Sequence, residues 1–257
     1  MAIYHLSVKY ISRKQGRSSV AAAAYRSGEK LYSDYDGNIY DFTRKKGIAH
    51  TEILLPPCAL SEFYNRESLW NAVERAEKRC DSRTAREVEI ALPNELELDE
   101  QIELARKYVL DTFVEQGMCA DIAIHNRDIN NPHAHILLTT REVSTDGFSD
   151  RKNREWDKRS NVTIWRENWA NAQNLKFKEN GLSVRVSHES HTARGIDREP
   201  TIHLGSAVMA LEQRGIQTER SNENQAIISR NKEREDIELL RQLKREQNRS
   251  RSFGRSR

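Results

Sequence analysis

The sequence is short of several things, and each shortage excludes something. No apolar run approaches the about 18 to 20 residues that a membrane-spanning helix needs; the longest run of small residues, VAAAAY at 20–25, falls far below that. The opening MAIYHLSVKY lacks the charged-then-apolar layout of a secretion signal. Cys58, Cys80 and Cys119 are odd in number, dispersed and without a C-x-x-C pair. That excludes a disulfide framework and reads as ordinary buried thiols in a reducing cytosol. A cytoplasmic protein with no membrane insertion is the expectation. Hydrophobic residues make up only 37% of the 257, against 32% charged, so the folded core is not expected to run through the whole length. There is no internal repeat.

A strong overall charge is also missing, since the net is only +3. Its distribution says more. From Arg241 to the end, seven basic residues face one acidic, Glu246, a net of +6 that leaves the remainder at −3. Such a tail suits nucleic acid or an acidic partner, or else is simply solvated.

What is present has clear periodicity. Ile3 to Tyr10 alternates as a strand, with Tyr4, Leu6 and Val8 on one face and His5, Ser7 and Lys9 on the other. A short basic loop follows, and Ser18 or Ser19 would cap a helix through SVAAAAYRSGEKLY. Asp36-Gly37 marks a turn, and residues 62–80 and 99–116 read as helices. Arg86 to Leu92 alternates, with Val88, Ile90 and Leu92 on one face and Glu87 and Glu89 on the other. Asp121–His125 and His133–Arg141 read as two strands of a hairpin; 144–160 reads as a polar loop and 162–179 as a helix stopped by Asn180-Gly181. Past Pro200 two helical segments are expected, near 205–214 and 222–248, the second highly charged. The implied division is a domain at 1–195 and a charged helical extension at 196–257.

HNRDINNPHAH, residues 125–135, holds three of the eight histidines. Period-two geometry puts Ile122, Ile124, Ile136 and Leu138 on one face of the hairpin and His125, His133 and His135 on the other. The architecture expected is therefore α+β, a central and largely antiparallel sheet with helices on one face and a polar, histidine-bearing site on the other. Three imidazoles at one hairpin mouth can converge on a divalent ion and leave positions open for water or a phosphate oxygen. Mn, Mg, Zn, Co, Ni and Cu all stay open. Tyr25 reads equally as a half-buried helix aromatic, with Tyr32, Tyr35 and Tyr40 as rivals for any nucleophilic role. Glu87 and Glu89 read equally as solvated strand carboxylates. His50, His188, His191 and His203 have no partner at ligand spacing.

NPHAHILL, preceded by His125, resembles the metal motif of MobA/MobL-type plasmid mobilisation relaxases (MOBQ-like), members of the wider HUH endonuclease group. MAIYHLSVKYISRKQGRSSVAAAAYRSGEKL, REVEIALPNEL and GIDREPTIHLG resemble further stretches of that family, so the likeness runs from residue 1 to about 205. It implies a HUH relaxase-like fold that nicks single-stranded DNA at the transfer origin of a supercoiled plasmid. Tyr25 would be the nucleophile, joined to the 5′ phosphate and leaving a free 3′ hydroxyl. A divalent metal ion would sit on His125, His133 and His135, with Glu87 and Glu89 orienting the histidines or taking the tyrosine proton. A phenol, with pKa about 10, needs such help at neutral pH. Accessory mobilisation proteins and a type IV coupling protein are the partners implied. For DNA contact the candidates are Arg13, Lys14, Arg17 and Arg26 around the tyrosine helix, and Arg151, Lys152, Trp156, Lys158 and Arg159 in the long loop. The competing readings are a rolling-circle replication initiator with the same chemistry, a metal-dependent hydrolytic nuclease, and a non-catalytic DNA-binding protein with a structural metal.

Overall fold

The structure, a computed structural model, describes residues 4–126, 131–202, 204–212 and 214–253. The chain divides into two compact units, Met1–His188 and Glu189–Arg257.

The first unit opens with β1 (Leu6–Ser12), a short helical turn, and α1 (Ser19–Ser27). A small hairpin of β2 (Lys30–Tyr32) and β3 (Ile39–Asp41) leads to β4 (Ile48–Leu54) and α2 (Arg66–Ala76). Then come β5 (Arg83–Ala91), α3 (Leu98–Val109), the hairpin strands β6 (Ala120–His125) and β7 (His133–Leu138), a second small hairpin of β8 (Val143–Ser144) and β9 (Gly147–Phe148), and α4 (Arg159–Glu179). Five strands make one sheet in the order β1-β5-β7-β6-β4. Every neighbouring pair is antiparallel. No described helix is long and apolar enough to cross a membrane.

The expected α+β architecture holds, and the alternation of the strands explains it. Val88, Ile90, Ile122, Ile124, Ala134, Ile136 and Leu138 share one face and pack with Tyr108, Phe113, Trp165, Trp169 and Phe177 of the α3 and α4 region. Burying that many large side chains supplies most of the driving force for folding. The opposite face adds something to the expectation of helices on one side. At its far end Ala85, Cys119 and Leu137 are covered by Val20, Ala23 and Ala24 of α1 and by Leu69, Trp70 and Val73 of α2. The histidines lie at the other end of this face, where His133 and His135 are partly exposed.

The tyrosine helix is shorter than its sequence pattern suggests. Ser18 caps it, accepting from Ala21 N at 3.3 Å. Gly28 ends it in the left-handed region at φ 69°, where its N–H donates to Ala24 O. A Cβ at Gly28 would also press on the Ile48 side-chain tip, which must then turn aside, but the positive φ is what calls for glycine. Lys30–Tyr32 is therefore strand rather than a continuation of the helix. The 144–160 stretch is not plain loop either, since it contains β8, β9 and a helical turn at Arg154–Asp157.

The second unit contains α5 (Gly205–Glu212) and α6 (Glu219–Phe253), the expected charged helix. An extended segment lies along α6, clasped by two asparagines. Ile202 N and O bond the Asn224 amide, while Glu199 N and O bond that of Asn231. Ile3, residues 127–130 of the expected hairpin loop, His203 and the last four residues lie outside the described residues.

Candidate metal centre and tyrosine helix

The register of the hairpin brings the histidines together. His125 pairs directly with His133, and His135 lies opposite Ala123, one position along the same face from His125. The ring centroids stand 4.8, 5.1 and 5.4 Å apart. One ligand nitrogen from each lies within 4.8 Å of the others. This is a cluster able to hold a metal ion.

Neighbouring groups set the imidazole tautomers. His135 Nδ1 donates to Glu87 Oε1 at 2.8 Å, and His133 Nδ1 to the Asn131 carbonyl at 2.9 Å, which leaves Nε2 of each with its lone pair. His125 Nε2 donates to the Arg26 carbonyl at 2.8 Å. Burial lowers the pKa of His125 to about 4, against the opposing pull of the Arg26 carbonyl, and burial also lowers His133. Imidazoles kept neutral at pH 7 are what a metal ion needs.

Glu87 and Glu89, indistinguishable by alternation, have different surroundings. Glu87 is buried and accepts from both His135 and Arg26 Nε (2.6 Å). Burial pushes its pKa up, but the His135 hydrogen bond and the Arg26 charge outweigh that and bring it down to about 2. A carboxylate held so firmly ionised orients its neighbours well and accepts protons poorly. Glu89 is partly exposed and pairs with Lys9 at 2.9 Å.

Tyr25 stands on the last turn of α1, adjacent in sequence to the Arg26 that bridges to Glu87. Its side chain is half exposed, and its ring meets Phe42 edge-on at 5.2 Å. Lys45 lies over the ring face, with Nζ 3.8 Å from the centroid. The same ammonium donates to the Tyr25 carbonyl at 2.7 Å and lies 3.4 Å from His125 Nε2. Burial, with the Arg26 charge second, lowers Lys45 to about 8. Of the rival tyrosines, Tyr40 donates to Asp36 at 2.5 Å and Tyr35 lies under the Arg13 guanidinium at 3.7 Å.

A buried strut ties this helix to the strand that carries His125. Just past the helix cap, Glu29 pairs with Arg66 of α2. Arg66 forks onto Asp121 of β6 through Nε (2.8 Å) and Nη2 (2.9 Å), and Trp70 Nε1 also donates to Asp121 at 2.9 Å. Asp121 lies on the histidine face, but its oxygens serve this strut rather than the histidine cluster.

The expected DNA contacts divide. Trp156 is a correction: its indole is 5% exposed and sits in the main core, so it cannot stack on a base. A large apolar side chain in a polar loop gains more from anchoring that loop than from solvent. Arg13 is a second correction. It is buried against Glu74 (2.6 Å) and the carbonyls of Glu77 and Arg79, where it positions α2 instead of facing solvent. Arg26 is engaged with Glu87, and Lys152 reaches Glu77 at 3.2 Å. Lys14, Arg17, Arg151, Lys158 and Arg159 are exposed. Arg151 and Lys152 line a cleft with Arg79, Arg83 and Arg154, at the opposite end of β5 from the histidines.

Lys45 and the Arg66 strut were invisible to sequence reasoning. Lys45 stands in TRKKGIAH, which looks like any solvated basic turn. Asp121 does share the alternation of His125, the one signal that could have drawn attention to it.

With this geometry in view, the chain can be set beside known proteins. A model of the MobA/MobL family matches residues 17–214. The chain belongs to the MobA/MobL family. It is 37% identical to mobilization protein MobL of Acidithiobacillus ferridurans over 83% of its own length and 65% of that protein's. It is 33% identical to mobilization protein A of Escherichia coli, covering 86% of this chain and 32% of the other. A solved structure described as the molecular basis of vancomycin resistance transfer in Staphylococcus aureus superposes with a TM-score of 0.68 at 36% identity, over 74% of this chain and all of the other. The chain thus spans less than two thirds of the length of these two MobA/MobL relatives.

Proposed function

We propose that this MobA/MobL chain is a relaxase that nicks single-stranded DNA at a plasmid transfer origin, with residues 1–195 as the nicking domain and 196–257 as a helical extension. The observation that carries the reading is a continuous set of contacts. His135 bonds Glu87, Glu87 bonds Arg26, and Arg26 sits beside Tyr25 on the helix whose carbonyl holds His125. The family's named functions, mobilization and conjugal transfer in its curated relatives, support the choice of substrate.

Tyr25 Oη attacks the scissile phosphorus; the new O–P bond forms as the P–O3′ bond breaks. The phenolic proton passes to solvent, and the departing 3′ oxygen takes one up. Because the phosphodiester energy is kept in the tyrosyl ester, the 3′ hydroxyl can reverse the step without ATP. The three imidazoles fit a divalent ion, which when bound supplies Lewis-acid polarisation of the phosphate. Glu87 holds His135 in the tautomer that offers Nε2 and holds Arg26, and thereby the helix, in register. The exposed Lys14, Arg17 and Arg159, with the cleft around Arg151, supply phosphate contacts that weaken steeply with salt.

The test is a cleavage assay with labelled single-stranded oligonucleotides from the transfer-origin region, in Mn²⁺, on wild type and Tyr25→Phe. A covalent DNA–protein band in wild type alone is the expected result. Free cleaved ends without an adduct, unchanged in the variant, would instead make the protein a hydrolytic nuclease.

A further inference from the structure

We infer that Lys45 is a positioning residue for the nucleophile: the turn Phe42–Lys45 is a clasp that sets the orientation of Tyr25 against the histidine cluster. The inference rests on the relaxase reading above for its chemistry, but its structural part stands independently.

Four contacts argue for it. The Phe42 ring meets the edge of Tyr25 at 5.2 Å, and the Lys45 ammonium covers its face at 3.8 Å, so two directions of ring motion are closed. Lys45 Nζ also donates to the Tyr25 carbonyl, one of the last carbonyls of α1, which lack helical partners. The fourth is an approach and not a hydrogen bond: Nζ lies 3.4 Å from His125 Nε2, 80 residues away in sequence, whose own N–H is given to the Arg26 carbonyl. A backbone bond closes the turn itself, Lys45 N–H to Phe42 O at 2.9 Å, and Phe42 N–H is fixed to Glu29 O at 3.1 Å, just past the helix cap. The clasp is therefore built on the same residue as the buried Arg66 strut, and it holds an otherwise half-exposed tyrosine.

Cation and ring interact favourably, and more so where water is partly excluded. Orientation matters because a misplacement of about 1 Å can cost roughly 100-fold in rate. Arginine, keeping the charge and able to stack, should replace lysine in part; methionine, keeping the length and losing the charge, should not.

The experiment compares Lys45→Met and Lys45→Arg with wild type by two readouts. In single-turnover adduct formation, Lys45→Met should slow the step by roughly 30- to 100-fold. DNA affinity should change by less than about threefold, because the cation faces the tyrosine rather than the phosphate backbone. Lys45→Arg should recover much of the rate. The second readout is fluorine NMR of metal-free protein carrying 3-fluorotyrosine, with the residue 25 resonance identified by its loss in Tyr25→Phe. That resonance should shift and broaden in Lys45→Met and return toward its original position in Lys45→Arg. An unchanged resonance would overturn the clasp, as would a Lys45→Met rate equal to wild type. Tighter metal binding with cleavage preserved would show that the lysine merely fills the cluster, which also overturns it. If wild type itself forms no adduct, the relaxase reading fails, while the fluorine spectra still decide whether the clasp exists.

Discussion

The two faces of the sheet are held by different physics. On the α3 and α4 side the strands present Val88, Ile90, Ile122, Ile124, Ile136 and Leu138 to aromatic rings, and the contact is mostly apolar, with a buried charge, Arg86, paired to Asp157 beside Trp165. On the α1 and α2 side the apolar contacts are interrupted by buried charge: Arg13 on Glu74, Arg66 on Asp121, Arg26 on Glu87, and Arg141 with Lys152 on Glu77. Apolar packing is tolerant of sliding and of shape-conserving exchange. A forked guanidinium–carboxylate pair is not, because it is satisfied in one geometry and costly in others. The mostly apolar face buries the larger hydrophobic cluster, and the face that carries the histidines and α1 is built with more directional bonds.

Several substitutions would break or sharpen this contrast. The largest effect is expected from Arg66→Ala, which strands Asp121 as an uncompensated buried charge. It should cost about 3–5 kcal/mol in chemical denaturation. A loss below about 1 kcal/mol would mean that the strut is decorative.

Acid should act on the charged face ahead of the apolar one. His125 has its pKa depressed from 6.5 to about 4, so the unfolded chain takes up that proton first and stability falls as pH drops from 6.5 toward 4. Glu87, depressed from 4.5 to about 2, contributes stability above pH 4.5 that is lost as pH falls toward 2. Both signs agree, so metal-free protein should lose stability continuously below pH 6.5 in urea titrations. A flat profile between pH 6.5 and 4 would contradict the neutral, buried state of His125.

Glu87→Gln should weaken metal binding by about 10- to 100-fold in calorimetric titration, since it removes the carboxylate behind His135. Glu89→Gln should change it by less than about threefold, its partner being Lys9. Equal effects would erase the distinction drawn between the two. On the oily face, Ile136→Val should cost only about 0.5–1.5 kcal/mol and leave adduct formation alone. The smallest change belongs to Arg151→Ala, which should lower the salt slope of DNA binding by about one without touching stability.

Much of the fold was legible because it rests on local periodicity. Alternation in 86–92, 121–125 and 133–141 assigns a face to each strand residue, and two such strands joined by a short loop imply a hairpin, whose register the structure supplies. That was enough to place three histidines together; the two glutamates were linked to them only through the family resemblance, and the β5–β7 pairing brings Glu89 opposite His135. Helix length was legible only in part. The apolar pattern continues through SGEKLY, but Gly28 takes a backbone conformation that ends the helix. Trp156 shows the same limit from the other side: polarity of the surrounding residues said loop, and the cores claimed its two large apolar side chains, Trp156 and Phe148.

What the sequence by itself determined is therefore the strand faces, a serine cap for α1 at Ser18 or Ser19, and the set of three histidines on one face. Only the tertiary structure decided which charges are spent and which are free. Arg13 and Arg26 look like any DNA-facing arginines until Glu74 and Glu87, each 61 residues away, are seen to hold them. Lys45 acquires meaning only beside Tyr25 and His125. The reason is physical. A side-chain period is a property of the backbone and can be read along the chain, whereas a charge takes its role from whatever lies within about 4 Å of it, which the folded packing alone selects.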